Sequence, residues 1–185
     1  MARLPLMIRD AVSADADALL EMWASTGMGF GSPSTLEEAE AAIERISASA
    51  LERLVVGEAD GSVVAVVHLR RGPMSPLHMQ EVVQTSFLLV RPDQRRHGYA
   101  RALLEVAVSW AEDLGIGYVT ALTTATSRDA NRFLARLGLA STGTLRIAPA
   151  ALLRAKLSPA PRLGMTAPRQ VLAQRRSMRR RQALR

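Results

Sequence analysis

Hydrophobic and polar positions along this chain change period several times, and each change marks an element. Leu6 to Arg9 reads as a short first strand. Ser13 stands where an N-cap belongs, with Asp15 and Asp17 in the first turn, where the helix dipole favours acids. Ala18, Leu19, Met22 and Trp23 then recur at helical spacing through about Ala24. A glycine-rich connection from Gly27 to Ser34 comes next, and Ser34 or Thr35 caps a second helix that runs to about Ala48, with Glu37 and Glu38 in its first turn.

The pattern then switches to strands. Arg53 to Glu58 and Val63 to Leu69 are rich in valine, and Asp60-Gly61 between them is a hairpin turn signal. Gln80 to Val90 is a long strand stopped by Arg91-Pro92. Tyr99 to Leu114 is the clearest helix, with Ala100, Leu103, Leu104, Ala107, Ala111 and Leu114 on one face and Gly115 as its stop. Tyr118 to Thr123 reads as a strand and Arg128 to Leu137 as a helix closed by Gly138. Ala140 to Ile147 and part of Ala151 to Leu157 carry weaker strand patterns. This order predicts a mixed α/β domain over residues 1–158, with an antiparallel first half and at least one βαβ unit. Pro159-Ala160-Pro161 marks a boundary to a tail over residues 159–185.

Composition narrows the class. Apolar residues make up 48% and charged ones 22%, as in an ordinary globular protein, and no run is long enough to span a bilayer. The amino-terminal apolar stretch is too short for a secretory signal, so a cytoplasmic location is expected. Without cysteine there is no thiol chemistry and no thiolate-bound zinc. The net charge of +7 belongs to the tail, which holds eight of the 24 basic residues and no acid, while the other 16 meet 17 acidic ones. A near-neutral body argues against a nucleic-acid groove across the domain. The tail alone suits RNA, DNA or an anionic membrane surface, or is a solvated, partly helical extension.

One loop carries the clearest chemistry. A strand ending at Val90, the segment Arg95-Arg96-His97-Gly98, and a helix starting near Tyr99 put unpaired backbone amides and a positive helix end together. This arrangement predicts an anion site, with Gly98 allowing close approach and Arg95 and Arg96 adding charge at the rim; the alternative is a solvated turn with incidental arginines. The glycines from Gly27 to Gly31 lack the preceding strand that a dinucleotide fingerprint needs. His68 and His78 flank a turn-rich stretch and show no metal-ligand spacing, and no metal is expected.

The stretch from Leu88 to Leu104 resembles the acetyl-CoA segment of the GNAT family of N-acetyltransferases. That family's signature is glutamine or arginine, two residues, glycine, one residue, then glycine or alanine, and it is matched here by Arg95, Gly98 and Ala100. A second family segment is matched by Ala130 to Leu139, and the resemblance covers about residues 6 to 157. It implies a GNAT fold with a mixed, mostly antiparallel sheet of six to seven strands flanked by about four helices. It implies acetyl-CoA as co-substrate, transferring acetyl directly to a primary amine of a small molecule or protein, with no metal. Amides of Arg95, Arg96, His97, Gly98, Tyr99, Ala100 and Arg101 would take the pyrophosphate, and main-chain groups of Leu88, Leu89 and Val90 the pantetheine arm. The connection between the first two helices would border the acceptor, making Phe30 a candidate acceptor contact.

The resemblance thins at the proton-transfer residues. Where histone-type members carry a glutamate this chain has Gln84, leaving Glu81, or a water held by backbone carbonyls, as candidate base. Where the family commonly has a tyrosine acid it has Leu134, leaving Tyr118, Tyr99 or Ser127. Ser127 stands where the family's usual asparagine would fall, and Asn131 is one turn later. These departures keep two alternatives open: an acyl-CoA-binding sensor of low activity, and an interaction protein that contacts nucleic acid through its tail. A homodimer through an edge strand near the carboxyl end is a further expectation.

Overall fold

The computed structural model describes residues 6–25 and 35–157. The glycine-rich connection with Phe30 and the tail over 159–185 lie outside the described residues. Two compact units divide between Thr142 and Gly143. The first holds β1 (Met7–Asp10), α1 (Ala16–Ala24), α2 (Leu36–Ser47), β2 (Glu52–Ala59), β3 (Ser62–Ser75), β4 (His78–Val90), α3 (Tyr99–Asp113), β5 (Val119–Ala121) and α4 (Arg128–Arg136). The second holds α5 (Ala150–Leu157).

The five strands form one sheet in the order β1-β2-β3-β4-β5. The first four pair antiparallel and β5 runs parallel to β4. Asp60 and Gly61 both take positive φ, 51° and 74°, which makes the tight β2–β3 turn that matches strand twist. Thr35 caps α2: its hydroxyl accepts from the Glu38 amide, and the Glu38 carboxylate accepts from the Thr35 amide, both at 3.1 Å.

The valine runs of β2 and β3 are apolar on both faces because helices cover both. On one face Tyr99, Leu103, Ala107 and Ala111 of α3 pack over Val55, Val67, Leu69 and Val83. On the other, Leu19 and Met22 of α1 and Ile43 and Ile46 of α2 cover Leu54, Val56 and Val66. Each fully buried side chain of this kind contributes roughly 1.5–3 kcal/mol. An ion-pair group ties β1 to the turn before α1 and to β2. Arg9 donates to Asp15 at 2.6 and 2.8 Å and to Glu58 at 3.0 Å.

Among the described residues the sheet has five strands, slightly fewer than the six to seven expected. Ala150–Leu157 is helical, because Ala-Ala-Leu-Leu-Arg-Ala-Lys-Leu consists of strong helix formers with no β-branched residue. Residues 139–149 have no regular secondary structure: only Leu145 and Ile147 alternate there. β3 runs well beyond its predicted end at Leu69, through Gly72 and Pro73, and meets β4, which starts at His78, in a hairpin whose tip is Pro76-Leu77.

Candidate functional site

The site is built on a fork in the sheet. β4 and β5 pair at Val83, Gln84 and Thr85 only. The Leu122 amide donates to the Thr85 carbonyl at 2.8 Å, and beyond it β4 runs on to Val90 paired with β3 but not with β5. Phe87 adopts a positive φ of 50°, and the β3–β4 register slips between the His68↔Ser86 and Val66↔Leu89 pairs. This is a bulge, and it changes which backbone groups face the open side. Before it, the Val83 amide donates across to Tyr118 O at 3.0 Å, so odd-numbered residues serve β5. After it, the Arg91 amide donates to Val64 O at 2.9 Å on the β3 side. By alternation, Leu89 also serves β3, and the amides and carbonyls of Leu88 and Val90 face the open edge. Leu88 and Val90 pack their side chains under α3, and Leu89 packs on the opposite face.

The open edge leads into the start of α3. After β4 comes a 3-10 turn at Pro92–Gln94, then exposed Arg95, Arg96, His97 and Gly98. Arg96 and Gly98 are both left-handed, φ 67° and 83°, and turn the chain tightly into the helix. Gly98 is the N-cap of α3, and a Cβ built on it would meet no protein atom within 4 Å. The first intrahelical bond runs from the Ala102 amide to Gly98 O at 3.0 Å, so the earlier amides are the helix's unpartnered donors. His97 Nδ1 donates to Gln94 O at 3.0 Å, and its ring stacks on buried Tyr99 with centroids 5.6 Å apart. Arg101 pairs with Glu105 on the exposed face of α3. An extended, phosphate-bearing ligand fits this surface: open backbone along Leu88 and Val90, then amides, helix dipole and arginines.

The two candidates for proton transfer lie elsewhere. Glu81 pairs in register with Pro73 and shares the α3 face with Val83, while Tyr118 is exposed just before β5. Both stand at the end of the β4–β5 ladder away from the fork, where strand alternation sets their side chains on opposite faces of the sheet. Leu134 is buried. Asn131 donates its side-chain amide to Thr124 O at 3.0 Å and Ser127 O at 2.7 Å, which ties down the turn before α4.

A polar line missed by sequence reasoning crosses β2, β3 and β4 on the face covered by α1 and α2. Ser86 Oγ lies 3.1 Å from His68 Nδ1, and His68 Nε2 lies 3.4 Å from Glu52 Oε2. Arg45 of α2 donates to the same Glu52 oxygen at 3.2 Å. Burial pushes the Glu52 carboxyl up, but its hydrogen bonds from Arg45 and His68 outweigh this and hold it below the usual range. The available signal was His68 itself, a lone polar residue within the run Val63 to Leu69.

Comparisons with known proteins bear on the family and the fold. Residues 17–139 match a family model described as acetyltransferase (GNAT) family. No curated protein sequence matches the chain significantly. A transcriptional regulator from Bacillus halodurans superposes with a TM-score of 0.68 at 20% identity, covering 78% of this chain and 99% of that one. An aminoglycoside N-acetyltransferase in complex with CoA gives 0.66 at 15% identity, over 80% and 96% of the two chains. A glucosamine-6-phosphate N-acetyltransferase from Arabidopsis thaliana gives 0.63 at 15%, over 79% and 98%. At such identities these likenesses show a shared fold. No helix among the described residues is long and apolar enough to cross a membrane.

Proposed function

The chain belongs to the acetyltransferase (GNAT) family, and from that premise we propose that it transfers an acetyl group from acetyl-CoA to a primary amine. The observation that carries this reading is the fork. An unpaired β4 edge at Leu88 and Val90 leads directly into the open, positively polarised start of α3. The pyrophosphate would bind the amides from Arg95 to Arg101, where Gly98 leaves room for it. The pantetheine arm would add to β4 as an extra strand, bonded to Leu88 and Val90. Ser86 to Val90 spans roughly 13 Å at about 3.3 Å per residue, so the thioester would lie near the bulge at Phe87. A β4 amide there would stabilise negative charge on the thioester oxygen as the amine attacks.

The neighbours that share this fold include enzymes named for acetylating an aminoglycoside and an amino sugar phosphate, which supports an amine acceptor. Acetyl-CoA at a hundred times its Kd should stabilise the fold by about 2.7 kcal/mol, seen as a raised Tm. Incubation with a panel of amines and amino-terminal peptides should then release free thiol. No Tm shift at millimolar acetyl-CoA would overturn the reading. A shift without thiol release from any amine would leave an acyl-CoA-binding protein in its place.

A further inference from the structure

Ser86 is the first residue of β4 past the last β4–β5 pair, and it precedes the bulge residue Phe87. It occupies the fork, on the sheet face opposite α3. Behind it His68 and Glu52 continue the hydrogen-bonded line on β3 and β2, with four-fifths of each side chain shielded from solvent. A carboxylate can only accept, so the neutral imidazole must carry its proton on Nε2, facing Glu52. Nδ1 is then bare, and Ser86 donates its hydroxyl proton to it. The other lone pairs of Ser86 Oγ are left to accept from a third group.

We propose that Ser86, His68 and Glu52 form the proton relay that deprotonates the incoming amine. The proposal rests on the acetyltransferase reading above, which sets the thioester at the same fork. The ammonium of the acceptor hands one proton to Ser86 Oγ while the Ser86 hydroxyl proton passes to His68 Nδ1. The freed nitrogen lone pair attacks the thioester carbon, the C–N bond forms and the C–S bond breaks. The departing sulfur takes the second nitrogen proton, giving amide and free thiol, and the imidazolium later returns its proton to solvent. Glu52 faces the imidazolium while it exists, and Arg45 holds Glu52 in place. The charged groups around His68 on this face are Glu52 of β2, Arg45 of α2 and Arg70, which lies two residues along β3 and opposite Glu52 in register. The relay supplies a base at the fork, where Gln84 has no basic group and Glu81 stands at the far end of the β4–β5 ladder.

The test compares the full-length protein with Ser86→Ala, His68→Gln and Glu52→Gln, each checked for an unchanged melting profile. Acetyl-CoA affinity should stay within about twofold, since the cofactor surface is built from other groups. With the best amine of the panel, kcat for His68→Gln should fall on the order of a hundredfold, and Ser86→Ala similarly. The acidic limb of the pH profile should vanish in His68→Gln, which a purely structural histidine would not cause. Nitrogen-15 spectra of the wild-type protein read the relay without any turnover. They should show His68 protonated on Nε2, with the Nδ1-protonated form gaining in Glu52→Gln. Wild-type kcat in His68→Gln, an Nδ1-protonated His68 in the wild type, or an acetyl group found on Ser86 would each overturn the relay. Failure to bind acetyl-CoA would instead sink the acetyltransferase reading, and the imidazole spectra would still decide the hydrogen-bonded line.

Discussion

Trp23 of α1 stacks on Phe87 at the bulge of β4, with ring centroids 5.0 Å apart and planes 28° from parallel. Phe87 holds a left-handed backbone, which costs a residue with a side chain on the order of 1–2 kcal/mol. The stacked pair offsets this with about 0.5–1.5 kcal/mol beyond its area burial. α1 therefore clamps the bulge that turns Leu88 and Val90 to the open edge. Trp23→Ala should destabilise the protein by about 2–3 kcal/mol in urea denaturation. In a Phe87→Gly background the same change should cost less, by about the coupling energy of the pair. Acetyl-CoA affinity should fall in both single variants, and equal costs in the two backgrounds would show that the rings do not hold the bulge.

Gly98 separates ligand effects from folding effects. A Cβ there meets no protein atom, so the fold should lose only the left-handed backbone penalty of about 1–2 kcal/mol on Gly98→Val. The same side chain would stand over the amides proposed to take the pyrophosphate. Acetyl-CoA affinity should drop by on the order of a hundredfold or more, because both the anion contacts and the close approach are lost. Calorimetry beside a thermal melt checks this. Unchanged affinity would move the pyrophosphate away from the α3 terminus.

The parts of this fold that local chemistry determines were legible in the sequence. The periodicity of α3, the Asp60-Gly61 turn and the Thr35–Glu38 cap each depend on residues a few positions apart. The strand–loop–helix geometry of the candidate anion site was legible for the same reason, since the strand end, Gly98 and the helix lie within ten residues. The bulge was not, because Phe87-Leu88-Leu89-Val90 reads as a uniform apolar run and Trp23, some sixty residues away, is what stabilises its positive φ. The Glu52–His68–Ser86 line was hidden likewise. It exists only once the register irregularities at Gly57/Glu58 and Pro73/Ser75 have set the three strands side by side.

Glu81 and Tyr118 should prove dispensable for proton transfer. Glu81 lies five residues before Ser86, roughly 16 Å along an extended strand, and points to the α3 face. Glu81→Gln and Tyr118→Phe should each keep kcat within about threefold and leave the pH profile unshifted, as expected of groups outside hydrogen-bond reach of the reacting atoms. Loss of the acidic limb in Glu81→Gln would return the base to that carboxylate.

Stability in acid should report on Arg9 and Asp15. The double hydrogen bond from Arg9 holds the Asp15 carboxyl below its ordinary value, helped by the Val12 amide at 2.8 Å and opposed by burial. A carboxyl with a depressed folded pKa stabilises the protein fully above its unfolded pKa of about 3.9, and that contribution is lost as pH falls through the folded value. Unfolding free energy should therefore be flat in this respect near neutrality and decline from about pH 4 downward. Asp15→Asn should cost about 2–3 kcal/mol at pH 7, since it weakens charge-assisted bonds at a nearly buried site while Arg9 keeps Glu58. The gap between the two proteins should narrow as pH drops through the acid range. Denaturant titrations from pH 7 to pH 3 measure it, and a gap that stays constant would mean that Asp15 is not held ionised by Arg9.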